Sequence, residues 1–239
     1  MIFLHGLRTS HTMWRGQLEA LAAAGIPATA IDLPGHGTRV GEKFSLTAAR
    51  TVIGEAVAQA QEFGGRPYLV GFSLGGYLAI DWVARNPGHV CGLLASSCGT
   101  EPRAIFVTPY RLLARLIHTL PDRGRALNDF MVHLAVPEPG ASDVLAGGVP
   151  LDVMDDTLRE LTGLRSIAQL RTLDVPVLLV NGRLDHFRLH AHRYLAAARS
   201  GRLVTIPGAT HMVSVIQPAR FTSALFSGYE EATGRTRSG

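Results

Sequence analysis

The stretch Tyr68-Leu69-Val70-Gly71-Phe72-Ser73-Leu74-Gly75-Gly76-Tyr77-Leu78-Ala79-Ile80 decides the fold. A short apolar run feeds G-x-S-x-G, and an amphipathic segment follows at once. The pattern predicts a strand, a tight turn with Ser73 at its apex, and a helix. A serine hydroxyl becomes a useful nucleophile when it is held exposed beside a base, with its oxygen near a helix N-terminus. Gly71 and Gly75 flank Ser73 because the two backbone segments approach too closely for a Cβ. In a chain with 26 glycines the pentapeptide alone is a weak signal. Its weight comes from what the rest of the chain supplies.

Six short apolar runs read as buried parallel strands: Ile2–Leu4, Ala28–Asp32, Tyr68–Gly71, Val90–Ala95, Val177–Asn181 and Leu203–Ile206. Helical patterns separate the first four. Trp14–Ala24 stops at Gly25-Ile26-Pro27. Leu46–Phe63 starts behind Ser45 as its N-cap, and Gly76–Arg85 ends at Asn86-Pro87-Gly88. Strand–helix–strand repetition of this kind builds an α/β fold, a mostly parallel sheet covered by helices on both faces. Between the fourth and fifth strands the pattern changes. Residues 101–170 are helical, with amphipathic segments at Tyr110–Leu120 and Arg125–Ala135. About seventy residues exceed what one crossover needs, so this insertion reads as a helical lid on a core formed by residues 1–100 and 171–239. The last helix is expected at Ala219–Tyr229, with a polar, frayed tail over Thr233–Gly239.

Composition narrows the function. The 46% hydrophobic and 18% charged content suits one sizeable globular domain. No apolar run reaches the ~18–20 residues that span a bilayer. Met1-Ile2-Phe3-Leu4 carries no basic leader, so the expected location is cytoplasmic. The net charge of +4 rests on scattered arginines and the single lysine Lys43, with no basic stripe for nucleic acid. Cys91, placed within the fourth strand, and Cys98, just past its end, read as free thiols, and no Cys/His cluster has metal spacing.

A serine nucleophile needs a base, an orienter for the base, and donors for an oxyanion. In this topology all must come from C-terminal strand ends. His211 follows the sixth strand through Pro207-Gly208-Ala209-Thr210. Asp185 follows the fifth through Gly182-Arg183-Leu184. Asp174 falls at the opposite edge, Asp155 and Asp156 read as solvated pairing in the lid, and His186 is expected to point elsewhere. The Leu74 N–H at the helix N-terminus and the Leu7 N–H after His5-Gly6 are the oxyanion candidates. Trp14, Phe72, Phe106, Leu113 and Phe130 are the candidate substrate contacts, from the apolar character of the turns and the insertion.

With the order Ser73, Asp185, His211 in place, the sequence resembles the α/β-hydrolase superfamily. The resemblance rests on His5-Gly6-Leu7, Asp32-Leu33-Pro34-Gly35-His36-Gly37, Gly71-Phe72-Ser73-Leu74-Gly75-Gly76, Gly182-Arg183-Leu184-Asp185 and Gly208-Ala209-Thr210-His211. It covers the chain outside the lid. It implies a serine hydrolase that opens a carboxylic ester or related acyl bond of a small apolar substrate, without metal or organic cofactor. A serine there sets it apart from relatives with an aspartate nucleophile. His36 reads as part of a structural turn. Members usually open with an antiparallel hairpin, whereas this chain begins inside the His-Gly strand at Met1: either the start is shortened or those two strands are missing. By resemblance to the family's strand order, Ala28–Asp32 would then be a sheet edge, and the expectation is a homodimer or an edge covered locally. Two other readings stand: a thioesterase or acyltransferase acting on a carrier-bound acyl chain, and a non-catalytic protein that holds a small ligand in the same fold.

Overall fold

In the computed structural model, which describes residues 1–234, side chains along each strand alternate between two apolar cores. Ile2, Leu4, Leu69, Leu93, Ala95, Val177 and Leu179 face one side; Phe3, Val70, Leu94, Leu178 and Val180 face the other. Burial on both faces is why the strands read as continuous apolar runs rather than alternating ones. The strands are β1 (Ile2–Leu4), β2 (Thr29–Ile31), β3 (Tyr68–Phe72), β4 (Gly92–Ser96), β5 (Val177–Gly182) and β6 (Gly201–Ile206). All pair in parallel, in the order β2-β1-β3-β4-β5-β6. Thus β2 is an edge, as expected. Cys91 lies one residue outside β4, where its N–H donates to the Pro67 carbonyl at 3.0 Å. Both cysteines are free.

Helices α1 (Arg15–Ala23), α2 (Leu46–Glu62) and α3 (Leu74–Arg85) connect the first four strands. Ser45 caps α2, accepting from the Ala48 N–H at 3.1 Å. Helix α3 begins two residues earlier than its sequence pattern, because the Tyr77 N–H already reaches back to the Ser73 carbonyl at 3.1 Å. Its Asp81 is fully buried and accepts from Arg50, Arg85 and Gln169, so the charge is compensated on three sides. The insertion contains α4 (Ala104–Ile117), α5 (Arg125–Ala135), α6 (Gly140–Ala146), α7 (Met154–Leu161) and α8 (Ser166–Leu170). Then come α9 (Ala191–Ala197), α10 (Val213–Ile216) and α11 (Pro218–Thr233). Thr233 still belongs to α11 and Gly234 caps it at φ 66°, while residues 235–239 of the expected tail lie outside the described residues.

The insertion departs from expectation in its facing. On α4, Val107 and Ala114 turn inward, and Arg111 and Arg115 clamp Asp155 of α7. Leu112, Leu113 and Leu116 point outward at 59%, 53% and 67% exposure; Phe130 and Met131 of α5 do the same at 63% and 50%. The inner surface is already filled by Met154, Leu158 and Leu161 of α7, so the larger apolar stripes of α4 and α5 stay outside.

Close backbone contact fixes the β3–α3 turn. A Cβ on Gly71 would sit 2.3 Å from the Gly75 carbonyl oxygen, and one on Gly75 would sit 2.3 Å from that of Leu4. The loop after β2 is equally constrained. Asp32 accepts from the His11 and Thr38 N–H groups, each at 2.8 Å. His36 is fully buried, its Nδ1–H donating to the Pro34 carbonyl at 3.0 Å and its ring 4.9 Å from that of His5. Burial pushes His36 down to about 4. Burial, and then the neighbouring His36, push His5 down to about 3.

Two predictions follow from these contacts. Gly75→Ala should lower stability by about 2 kcal/mol or more in urea unfolding. Gly54→Ala, whose Cβ would meet only the Trp82 Nε1 at 3.7 Å, should raise it by about 0.5–1 kcal/mol. The buried imidazoles set an acid limit. The unfolded chain takes up their protons near the ordinary value of about 6.5, the folded chain only near 3 to 4. Stability therefore falls as pH drops from about 6.5 toward 4. Tm measured across that window should decline, and His36→Phe should make the decline shallower.

Candidate active site

Ser73 stands between β3 and α3 with φ 51° and ψ −111°. This conformation costs a non-glycine residue on the order of 1–3 kcal/mol and survives only where surrounding bonds dictate it. They do: the Ser73 N–H donates to the Ser96 carbonyl at 2.8 Å, and the Gly75 N–H to the His5 carbonyl at 3.0 Å. The hydroxyl is thereby lifted off the sheet edge at the start of a helix.

The loops after β5 and β6 extend the strand pairing beyond the sheet. The Arg183 N–H donates to Ile206 at 2.8 Å, and the Leu184 N–H to Ala209 at 3.0 Å. Gly182 permits this, since a Cβ there would lie 2.2 Å from the Thr210 carbonyl oxygen. Asp185 and His211 emerge side by side. His211 Nδ1 lies 3.1 Å from Asp185 Oδ1, and His211 Nε2 lies 3.1 Å from Ser73 Oγ. The Ser97 hydroxyl holds the His211 backbone carbonyl at 2.7 Å. Asp185 Oδ1 also accepts from the Phe187 N–H at 2.8 Å, so one carboxylate caps a helical turn and meets the imidazole. Burial acts to raise the Asp185 carboxyl, but the His211 hydrogen bond and charge and the Phe187 amide outweigh it. The net effect holds it below its ordinary value, ionised through the neutral range. An ionised acid on Nδ1 fixes the tautomer in which Nε2 accepts from the Ser73 hydroxyl.

The Leu7 amide is oriented from behind. The Gly6 carbonyl accepts from His5 Nδ1 at 2.8 Å and from the Thr9 hydroxyl at 2.9 Å. His5 Nε2 accepts the Leu33 N–H at 3.0 Å, which assigns the ring proton to Nδ1. The Gly6–Leu7 peptide is trans, so its N–H lies opposite the pinned carbonyl. Leu7 and Leu74 both line a hollow of about 230 Å³ that also includes Ser73 and His211.

Of the five expected substrate contacts, Phe106 lines this hollow. The other four do not. Trp14 is fully buried in the opposite core, 5.0 Å from the Phe3 ring and 5.8 Å from that of Phe221. Phe72 packs beneath the site, its ring 5.1 Å from that of His211. Leu113 and Phe130 face outward, for the reason given above. The wall is instead made by residues the sequence reading passed over: Arg8, Tyr110, Phe187, and Met154, Leu158 and Leu161 of α7. The helical spacing of the last three was a usable signal, hidden behind the acidic pair Asp155-Asp156. Both acids are ion-paired, to Arg111 and Arg115 and to Arg159. His186 does not point away. Its ring lies 5.6 Å from that of His211 and stacks on Tyr110 at 6.1 Å. Among the described residues, no cluster of His, Cys, Asp or Glu has the arrangement of a metal site, and no helix is long and apolar enough to cross a membrane.

A sequence profile described as the alpha/beta hydrolase family matches residues 1–224. The chain is 31% identical to a pimeloyl-[acyl-carrier protein] methyl ester esterase of Edwardsiella ictaluri, over 99% of this chain and 94% of that protein. A protein of the same name from Neisseria meningitidis is 26% identical, over 95% and 92%. Among solved structures, an E-2-(acetamidomethylene)succinate hydrolase superposes with a TM-score of 0.79 at 20% identity, over 96% of this chain and 91% of that one. The profile match, the full-length relatives and the strand order together make this chain a member of the alpha/beta hydrolase family.

Proposed function

We propose that the protein hydrolyses a carboxylic ester of a small, largely apolar substrate through an acyl-enzyme on Ser73. The observation that carries this reading is the unbroken hydrogen-bonded line from Ser73 Oγ through His211 to Asp185. His211 Nε2 takes the hydroxyl proton as Ser73 Oγ bonds to the acyl carbon. Asp185 stabilises the resulting imidazolium. The Leu7 and Leu74 N–H groups stabilise the tetrahedral oxyanion. As that intermediate collapses, the bond to the leaving alcohol breaks, and His211 returns its proton to the alcohol. Water then attacks the acyl carbon, giving its proton to His211, and the acid departs as Ser73 regains its hydrogen. None of these steps calls for a metal or an organic cofactor.

In this reading residues 101–170 form the lid over a core of 1–100 and 171–239. The chain acts in the cytoplasm, and the β2 edge can pair with that of a second copy. A second reading, a thioesterase or acyltransferase, has the protein act on an acyl chain bound to a carrier protein. It is favoured by the substrate named for the two esterase relatives and by the arginines of the insertion, Arg103, Arg115 and Arg125.

Ser73→Ala should lower kcat by about 10⁴-fold or more, and Asp185→Asn by about 10⁴-fold, with KM little changed. Steady-state assays on p-nitrophenyl esters check both; wild-type turnover in Ser73→Ala would exclude the mechanism. A fluorophosphonate probe should label Ser73 in the native protein, and no adduct would favour the ligand-holding alternative. Acyl esters attached to a carrier protein, compared with the same esters free, separate the two substrate readings.

A further inference from the structure

The hollow over Ser73 is mostly apolar, yet an arginine is among the residues that line it. Arg8 stands one residue past the Leu7 amide and lines the hollow with Ser73 and His211. Its backbone is held at φ 64°, the left-handed region that disfavours a side chain of this size. Something in the fold keeps the residue there despite that cost. One terminal nitrogen donates to the neutral Asn128 side chain of α5. The Nε–H is shielded from water and has no hydrogen-bond partner. Among the described residues, no carboxylate lies within ion-pairing distance of Arg8. Among the described residues, the one acid lining the hollow is Glu101, and it is engaged elsewhere: Oε1 accepts from the Ile167 N–H at 2.9 Å, and Oε2 faces Arg103 at 3.4 Å. Burial lowers the Arg8 pKa, and Asp129 opposes this from a distance. The guanidinium stays charged all the same, because arginine keeps its proton throughout the physiological range.

A half-buried charge without a counter-ion is unfavourable, and an anion that enters relieves it. Planar, forked N–H donors match the two oxygens of a carboxylate, an anion that a small acyl substrate can itself carry. We propose that Arg8 binds an ionised carboxylate of the substrate, so that the preferred ester is a half-ester of a small dicarboxylic acid. This rests on the hydrolase reading above and adds to it the substrate's second functional group. The apolar walls take the methylene spacer, Ser73 takes the ester carbonyl, and Arg8 takes the far or neighbouring acid, according to spacer length.

The test compares kcat/KM on the monomethyl esters of succinic, glutaric and adipic acids with that on the matching dimethyl esters. The wild type should prefer the half-ester of at least one acid by roughly tenfold or more, the effect of one charge-assisted hydrogen bond. Arg8→Met should bring that ratio close to unity, and Arg8→Lys should keep part of it. Equal kcat/KM across every pair, or a preference that persists in Arg8→Met, overturns the carboxylate site. Binding gives a readout that needs neither turnover nor an Arg8 variant. Ser73→Ala protein should show a larger rise in Tm with the preferred half-ester than with its diester, and equal shifts overturn the proposal. Hydrolysis of the diesters with no half-ester preference refutes the carboxylate site alone. Absence of any hydrolysis and of any fluorophosphonate adduct refutes the hydrolase reading, while the Ser73→Ala binding comparison still decides on Arg8.

Discussion

The backbone of the β3–α3 turn lies against the end of β1 with no room for a side chain between them. The position of Ser73 depends on this contact. Gly75 meets the Leu4 and His5 carbonyls, so the residue two before it must turn sharply, and Ser73 takes a backbone conformation it would avoid in isolation. The same contact brings the His5-Gly6-Leu7 turn beside the start of α3. Ser73 and the Leu7 and Leu74 residues that line the hollow with it are thus registered by one packing event. Strain at Ser73 is tolerated because the hydrogen bonds around it belong to the sheet and the helix, the parts of the fold hardest to deform.

His211 and Asp185 reach Ser73 by a different device. The β5–β6 pairing continues past the strand ends, so two loops that would otherwise be independent behave as one extended ladder. Placement of Asp185 and His211 then depends on main-chain geometry rather than on long flexible side chains. Electrostatics completes it. The burial that would favour a neutral Asp185 is outweighed by donors aimed at the charged form, so orientation and charge are fixed by the same bonds.

The sheet was legible because its residues obey local rules. Apolar runs of strand length, the Ser45 cap and the Gly-x-Ser-x-Gly turn each have one physical reading. Ser73, Asp185 and His211 were legible because a strand end is a position in the chain, so topology converts sequence order into proximity. The hollow's walls were not legible in the same way. Leu113 and Phe130 have the composition of a pocket lining, but which stripe of an amphipathic helix turns inward depends on what already fills the space beneath it. Here α7 fills it. Phe72 and Trp14 failed for a related reason: an aromatic beside a functional residue can pack behind the site as readily as within it. His186 was dismissed on its adjacency to Asp185, although the tight turn after Asp185 folds the next two rings back toward the base.

Those rings have a mechanical consequence. Tyr110, on the insertion, stacks on His186 and lies 5.2 Å from Phe187, whose ring is 4.7 Å from that of His211. The chain of π-faces runs without a gap from the roof of the chamber to the imidazole. In the proposed mechanism, a guest wide enough to displace Tyr110 would remove the outer support of the rings packed on His211. Discrimination by girth would then be registered in turnover as well as in entry.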